Sequence, residues 1–116
     1  MPLTITTSLR YSNGDDFVSQ SQFSDSSTPS SAARTELNIS IGTVDETVAL
    51  GDVASIGEIL IQNLDATNFI TVGPDGSSYP IKIMPGRHAR CQWNGAAIHL
   101  KADTAACRAR VMVFSA

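Results

Sequence analysis

Aromatic residues make up only 6 % of this 116-residue chain. Stacking platforms for single-stranded nucleic acid are therefore scarce. No apolar run is long enough to cross a bilayer, so no transmembrane helix is expected. The opening Met1-Pro2-Leu3-Thr4 has neither a basic nor an apolar region, so no secretory leader is expected. Cys91 and Cys107 are the only cysteines, too few for a disulfide framework, and they read as free thiols.

Catalytic motifs are missing as well. No Gly-x-Ser-x-Gly elbow and no His-x-His pair occurs, which argues against a serine hydrolase and against a cupin-type metal centre. The soft ligands are His88, Cys91, His99 and Cys107. His88 and Cys91 stand three apart on one predicted strand and so face opposite sides, which argues against a shared zinc. Asp15-Asp16 and Asp45-Glu46 fall in turns, where adjacent carboxylates are solvated rather than set for glycoside hydrolysis. If strands 87–93, 96–102 and 106–115 form a meander, Cys91 and Cys107 lie roughly 9–10 Å apart, twice the strand spacing. That exceeds the reach of about 7 Å for a disulfide, although pairing across two sheets would leave a bridge open. The residues thus predict no enzyme, no metal and no cofactor.

What the chain does have is alternation. Leu37, Ile39 and Ile41 alternate with Glu36, Asn38 and Ser40; Cys107, Ala109, Val111 and Val113 alternate with Arg108, Arg110, Met112 and Phe114. Period two is the signature of strands, whose successive side chains face opposite sides. The spacing predicts strands over 35–43, 47–50, 56–63, 67–73, 79–84, 87–93, 96–102 and 106–115. Asn94-Gly95 reads as a type I′ hairpin turn and Pro85-Gly86 as a type II reversal. The predicted class is all-β: an antiparallel β-sandwich or small β-barrel, jelly-roll-like, with an extended N-terminal arm. Ile39, Ile41, Leu60, Ile70, Val72, Ile83, Ile98, Leu100, Val111 and Val113 are the expected core.

The arm spans 1–35 and the β-sandwich domain 36–116. A first strand is expected over 2–11 and a short extended piece from Phe17 to Phe23, followed by a Ser-rich linker from Ser24 to Ser31. Leu3, Ile5 and Leu9 alternate, and with Phe17 and Phe23 they could anchor the arm on a partner.

Charge is divided along the chain. Residues 1–79 hold two basic and ten acidic residues (−8), and residues 80–116 hold six basic and one acidic (+5), together the net −3. The split fits either neutralisation within one domain or docking between subunits. Arg87, Arg90, Arg108 and Arg110 are the candidate interface cations. With a negative net charge and few aromatics they suit acidic patches on a partner subunit better than nucleic acid.

Residues 43–116 carry a recognisable layout: Gly42-Thr43-Val44-Asp45-Glu46-Thr47-Val48-Ala49-Leu50, then Ile59-Leu60-Ile61-Gln62-Asn63-Leu64-Asp65-Ala66-Thr67-Asn68-Phe69-Ile70-Thr71-Val72-Gly73, then Met84-Pro85-Gly86-Arg87, and last Leu100-Lys101-Ala102-Asp103-Thr104-Ala105-Ala106. This layout resembles small β-sandwich structural proteins of tailed bacteriophages, the decoration, accessory and tail-associated proteins. The family's usual acidic residue after the Pro-Gly turn is Arg87 here. The resemblance implies a non-enzymatic virion protein, foremost a capsid decoration or cement protein that contacts the major capsid protein and forms homo-oligomers. A neck, tail or fibre position, or a carbohydrate-binding sandwich, is the alternative.

Overall fold

The computed structural model describes residues 3–11, 21–29 and 31–116. Phe17 lies outside them. The chain divides into two compact units, Met1–Ala32 and Ala33–Ala116.

The first unit is a hairpin. β1 (Ile5–Tyr11) pairs antiparallel with β2 (Ser21–Ser27), from Ile5 opposite Ser27 to Tyr11 opposite Ser21. Ile5, Thr6 and Thr7 are β-branched and favour extended backbone. Strand β2 has no such composition. Ladder hydrogen bonds order it, and those are made by backbone groups that every residue here carries. The Ser-rich stretch read as linker therefore begins inside a strand, and the arm is folded back on itself rather than singly extended.

The second unit contains β3 (Arg34–Ile41), β4 (Glu46–Thr47), β5 (Ile56–Asn63), β6 (Ile70–Gly73), β7 (Ile81–Ile83), β8 (His88–Gln92), β9 (His99–Ala102) and β10 (Cys107–Ser115). They form two four-stranded antiparallel sheets, ordered β3-β10-β5-β8 and β4-β9-β6-β7. The antiparallel pairs β3–β10, β4–β9, β5–β8 and β6–β7 are nested about the β6–β7 tip. This is one long hairpin rolled into a sandwich, the jelly-roll arrangement.

The all-β class and the sandwich are as the alternation predicts. Ile41, Ile70, Val72, Ile83, Ile98, Leu100, Val111 and Val113 are buried between the sheets, and Ile39 packs half-buried against them. Leu60 is the correction: it lies half-exposed on the outer face of β5, while Ile59 and Ile61, 2 % and 1 % exposed, fill the core. The run Ile59-Leu60-Ile61 is apolar on both faces, so only its pairing with β10 settles its side. Ile59 lies opposite buried Val113 and Ile61 opposite buried Val111.

Of the two turn signals, Pro85-Gly86 is as read and Asn94-Gly95 is not. Gly86 has φ +71° and Arg87 N–H donates to the Met84 carbonyl at 3.0 Å, as a type II turn requires. Yet this turn carries the chain from β7 in one sheet to β8 in the other. Asn94-Gly95 likewise bridges sheets, from β8 to β9, and neither residue has the positive φ of a type I′ turn. The last three strands therefore form no meander. Cys91 and Cys107 do share a sheet, but with β5 rather than β9 between them, and both are free thiols.

Rolling the hairpin explains the charge split. It pairs early strands, which carry Glu36, Glu46 and Glu58, with late strands, which carry Arg90, Lys101, Arg108 and Arg110. A chain acidic in its first part and basic in its last becomes a domain with the two signs interleaved. Arg90 meets Glu58 at 2.6 Å and His99 meets Asp45 at 2.9 Å.

Candidate functional site

The jelly-roll interior is filled. Its inward positions on β9 and β10 are Leu100, Ala102, Cys107, Ala109, Val111 and Val113, all buried. Asn63, 1 % exposed, is a polar residue among them, and its amide is committed: Nδ2 donates to the Asn68 and Ile83 carbonyls, and Oδ1 accepts the Asp65 N–H. Exposed charged side chains of the second unit's strands lie on the outer faces of the sheets.

On the first sheet, Arg108 and Arg110 alternate with buried Cys107, Ala109 and Val111 and so point outward, exposed. Arg110 sits in register between Asn38 and Gln62. A groove of about 440 Å³ runs here, lined by Glu36, Asn38, Gln62, Leu64 and Arg110. Leu64, 53 % exposed, donates its N–H to the Arg108 carbonyl, and neighbouring Asn63 donates to the Arg87 carbonyl. Arg87, Arg108 and Arg110 therefore gather around one end of this sheet. Arg90 is separate: it lies in register with Leu60 and is half-buried in its ion pair with Glu58, which is 6 % exposed. Of the arm residues, Leu3 and Ile5 are half-buried. Leu9 and Phe23 occupy opposed backbone positions in the hairpin.

The residues proposed against zinc do not converge. His88 faces out on β8 and Cys91 is half-buried in register with inward Ile59, while Cys107 is buried and His99 belongs to the other sheet. Burial pushes both thiols above their ordinary pKa, which disfavours the nucleophilic thiolate.

The outer face of the second sheet holds a cluster that sequence reasoning missed. Asp45 lies between β3 and β4, Tyr79 before β7 and His99 on β9. The Tyr79 hydroxyl donates to Asp45 Oδ1 and also reaches the Gly76 carbonyl at 3.3 Å. His99 Nδ1 approaches the two Asp45 oxygens at 3.1 and 2.9 Å. The Tyr79 bond, then the His99 bond, holds the Asp45 carboxyl below its ordinary value. The same bond, aided by desolvation, pushes Tyr79 up to about 12. An Asp–His pair orients an imidazole in acyl-transfer enzymes, but there the nucleophile bonds to the imidazole. Here the hydroxyl bonds to the carboxylate, so His99 is not placed to take its proton. The cluster clamps two loops to strand β9. Separations of 34 and 54 residues hide it from local patterns.

The clamp has a pH signature. Asp65 and Asp75 also lie below their ordinary value, held chiefly by backbone N–H groups of Asn68 and Ser77. Such carboxyls bind protons more weakly folded than unfolded. The stability they add is complete above 3.8, their ordinary value, and is lost as pH falls through their lower folded values. The melting temperature should hold level from neutral to about pH 5 and drop below about pH 4. Asp45→Asn should lower the plateau and flatten the acid limb. An acid limb identical to that of the parent protein would show that Asp45 clamps nothing.

Comparison with family models, with curated proteins and with solved structures finds no match.

Proposed function

We propose that the chain is a non-enzymatic structural protein of a virion, foremost a capsid decoration protein, whose work is contact with copies of itself and with the major capsid protein. The observation that carries the reading is a two-stranded hairpin joined to a jelly roll that already has its own core. Two strands alone are marginal in water. A two-stranded sheet has an edge on each strand, and edge strands are where a neighbouring chain adds by strand addition.

Charge supports a head-to-tail contact. Residues 1–32 carry Arg10 against Asp15, Asp16 and Asp25, whereas Arg87, Arg108 and Arg110 make no ion pair among the described residues. An acidic arm on the arginine end of the next sandwich brings opposite potentials together. The resemblance of residues 43–116 to phage structural proteins names the partner class.

The test compares the full chain with one beginning at Ala33. The shortened chain should melt as a folded β-protein yet sediment as a monomer, while the full chain sediments as an oligomer that Arg108→Glu with Arg110→Glu dissociates. Equal sedimentation of full and shortened chains would overturn the role of the arm.

A further inference from the structure

The outer face of the second sheet carries two exposed lysines beside aromatic rings. Thr71 on β6 lies in register between Lys101 on β9 and Lys82 on β7. Both lysines are exposed on the outer face, and strand spacing sets their Cα atoms roughly 9–10 Å apart. Each ammonium leans on an aromatic ring: Lys82 Nζ lies 4.3 Å from the Phe69 centroid and Lys101 Nζ 5.7 Å from the Tyr79 centroid. A hollow of about 320 Å³ is lined by Phe69, Thr71, Tyr79, Lys101 and Asp103. Its floor is rigid. The Tyr79 ring is fixed through its hydroxyl by Asp45 and Gly76, and Asp45 in turn by His99. The clamp thus pre-organises the wall of a binding site, which lowers the ordering cost of association.

We propose that this hollow binds a carboxylate-bearing pyranose, a uronic or sialic acid residue of a glycan. Lys101 in the lining and Lys82 beside it on the Phe69 ring stand against the carboxylates of Asp103 and, behind Tyr79, Asp45, a balanced setting that accepts one further negative charge more readily than two. A phosphate dianion would bring excess charge towards Asp103. The ligand carboxylate lies between Lys82 and Lys101, where charge-assisted hydrogen bonds are strongest. The Asp103 carboxylate accepts from sugar hydroxyls. The Tyr79 and Phe69 rings meet the apolar C–H face of the pyranose. The size falls at the small end of the range for ligand clefts, as a single sugar residue requires. The site stands independently of the arm, so either proposal survives the failure of the other.

The experiment titrates the full chain with galacturonate oligomers, with sialyllactose, with neutral lactose and with inorganic phosphate, read by amide chemical shifts and calorimetry. At least one acidic sugar should bind, with shifts centred on Thr71, Tyr79 and Lys101. Lactose and phosphate should not bind or compete. Lys82→Ala and Lys101→Ala, exposed substitutions that leave the core intact, should each weaken binding about tenfold, or about 1.4 kcal/mol. Tyr79→Ala should abolish it. No binding by either acidic sugar, equal binding of lactose or phosphate, or acidic-sugar affinity indifferent to both lysines would overturn the proposal.

Discussion

Leu100→Ala lowers the unfolding free energy by about 2–5 kcal/mol, the cost of emptying a well-packed core position. Leu100 is 1 % exposed and central in its sheet, opposite Glu46 of β4 and Val72 of β6. The surrounding β-branched side chains Ile70, Val72 and Ile98 are stiff and collapse poorly into a void. Leu60→Ala is the internal comparison. It removes the same atoms from the outer face of β5, where the side chain is half-exposed, and should cost about 1 kcal/mol or less. Urea denaturation of both variants reads the difference. Equal losses would mean that β5 is in the opposite register, with Leu60 inside.

Asn63→Ala costs about 3 kcal/mol for a different reason. The Asn63 amide donates at 2.8 Å to the Asn68 carbonyl and at 3.1 Å to the Ile83 carbonyl, and accepts the Asp65 N–H at 2.9 Å. One side chain thereby ties the end of β5 to the approach to β6 and to the end of β7. Alanine fills part of the space but strands a buried carbonyl, and an unsatisfied buried group costs about 1–3 kcal/mol. Thermal unfolding measures the loss. A melting temperature within a degree or two of the parent would show that water or a relaxed turn replaces the amide.

Much of the fold is legible in the sequence because sandwich strands have one wet face and one dry face. β5 ends where the pattern places it, at Ile56 and Asn63, and β10 alternates without a fault from Cys107 to Val113. Connectivity is not legible. Met84-Pro85-Gly86-Arg87 specifies a local reversal, and a reversal is the same whether the chain returns to its own sheet or crosses to the facing one. The pairing of β3 with β10 is encoded nowhere near either strand. The site divides in the same way. Arg108 and Arg110 could be placed on one face by spacing alone, whereas Arg90 could not be known to be taken up by Glu58. Asp45, Tyr79 and His99 look like a turn acid, a loop tyrosine and a strand histidine until the roll brings them together. The Ser-rich segment of β2 has no apolar pattern to read, because its order comes from backbone pairing.

The proposed role as a virion structural protein is read from binding to phage particles that lack this chain. Labelled full chain and labelled chain beginning at Ala33 are titrated onto the same particles. The full chain should saturate at a copy number fixed by particle symmetry. The shortened chain should bind far more weakly, while keeping its melting transition. Indistinguishable binding by the two chains, or no saturable binding by the full chain, would overturn the proposed role.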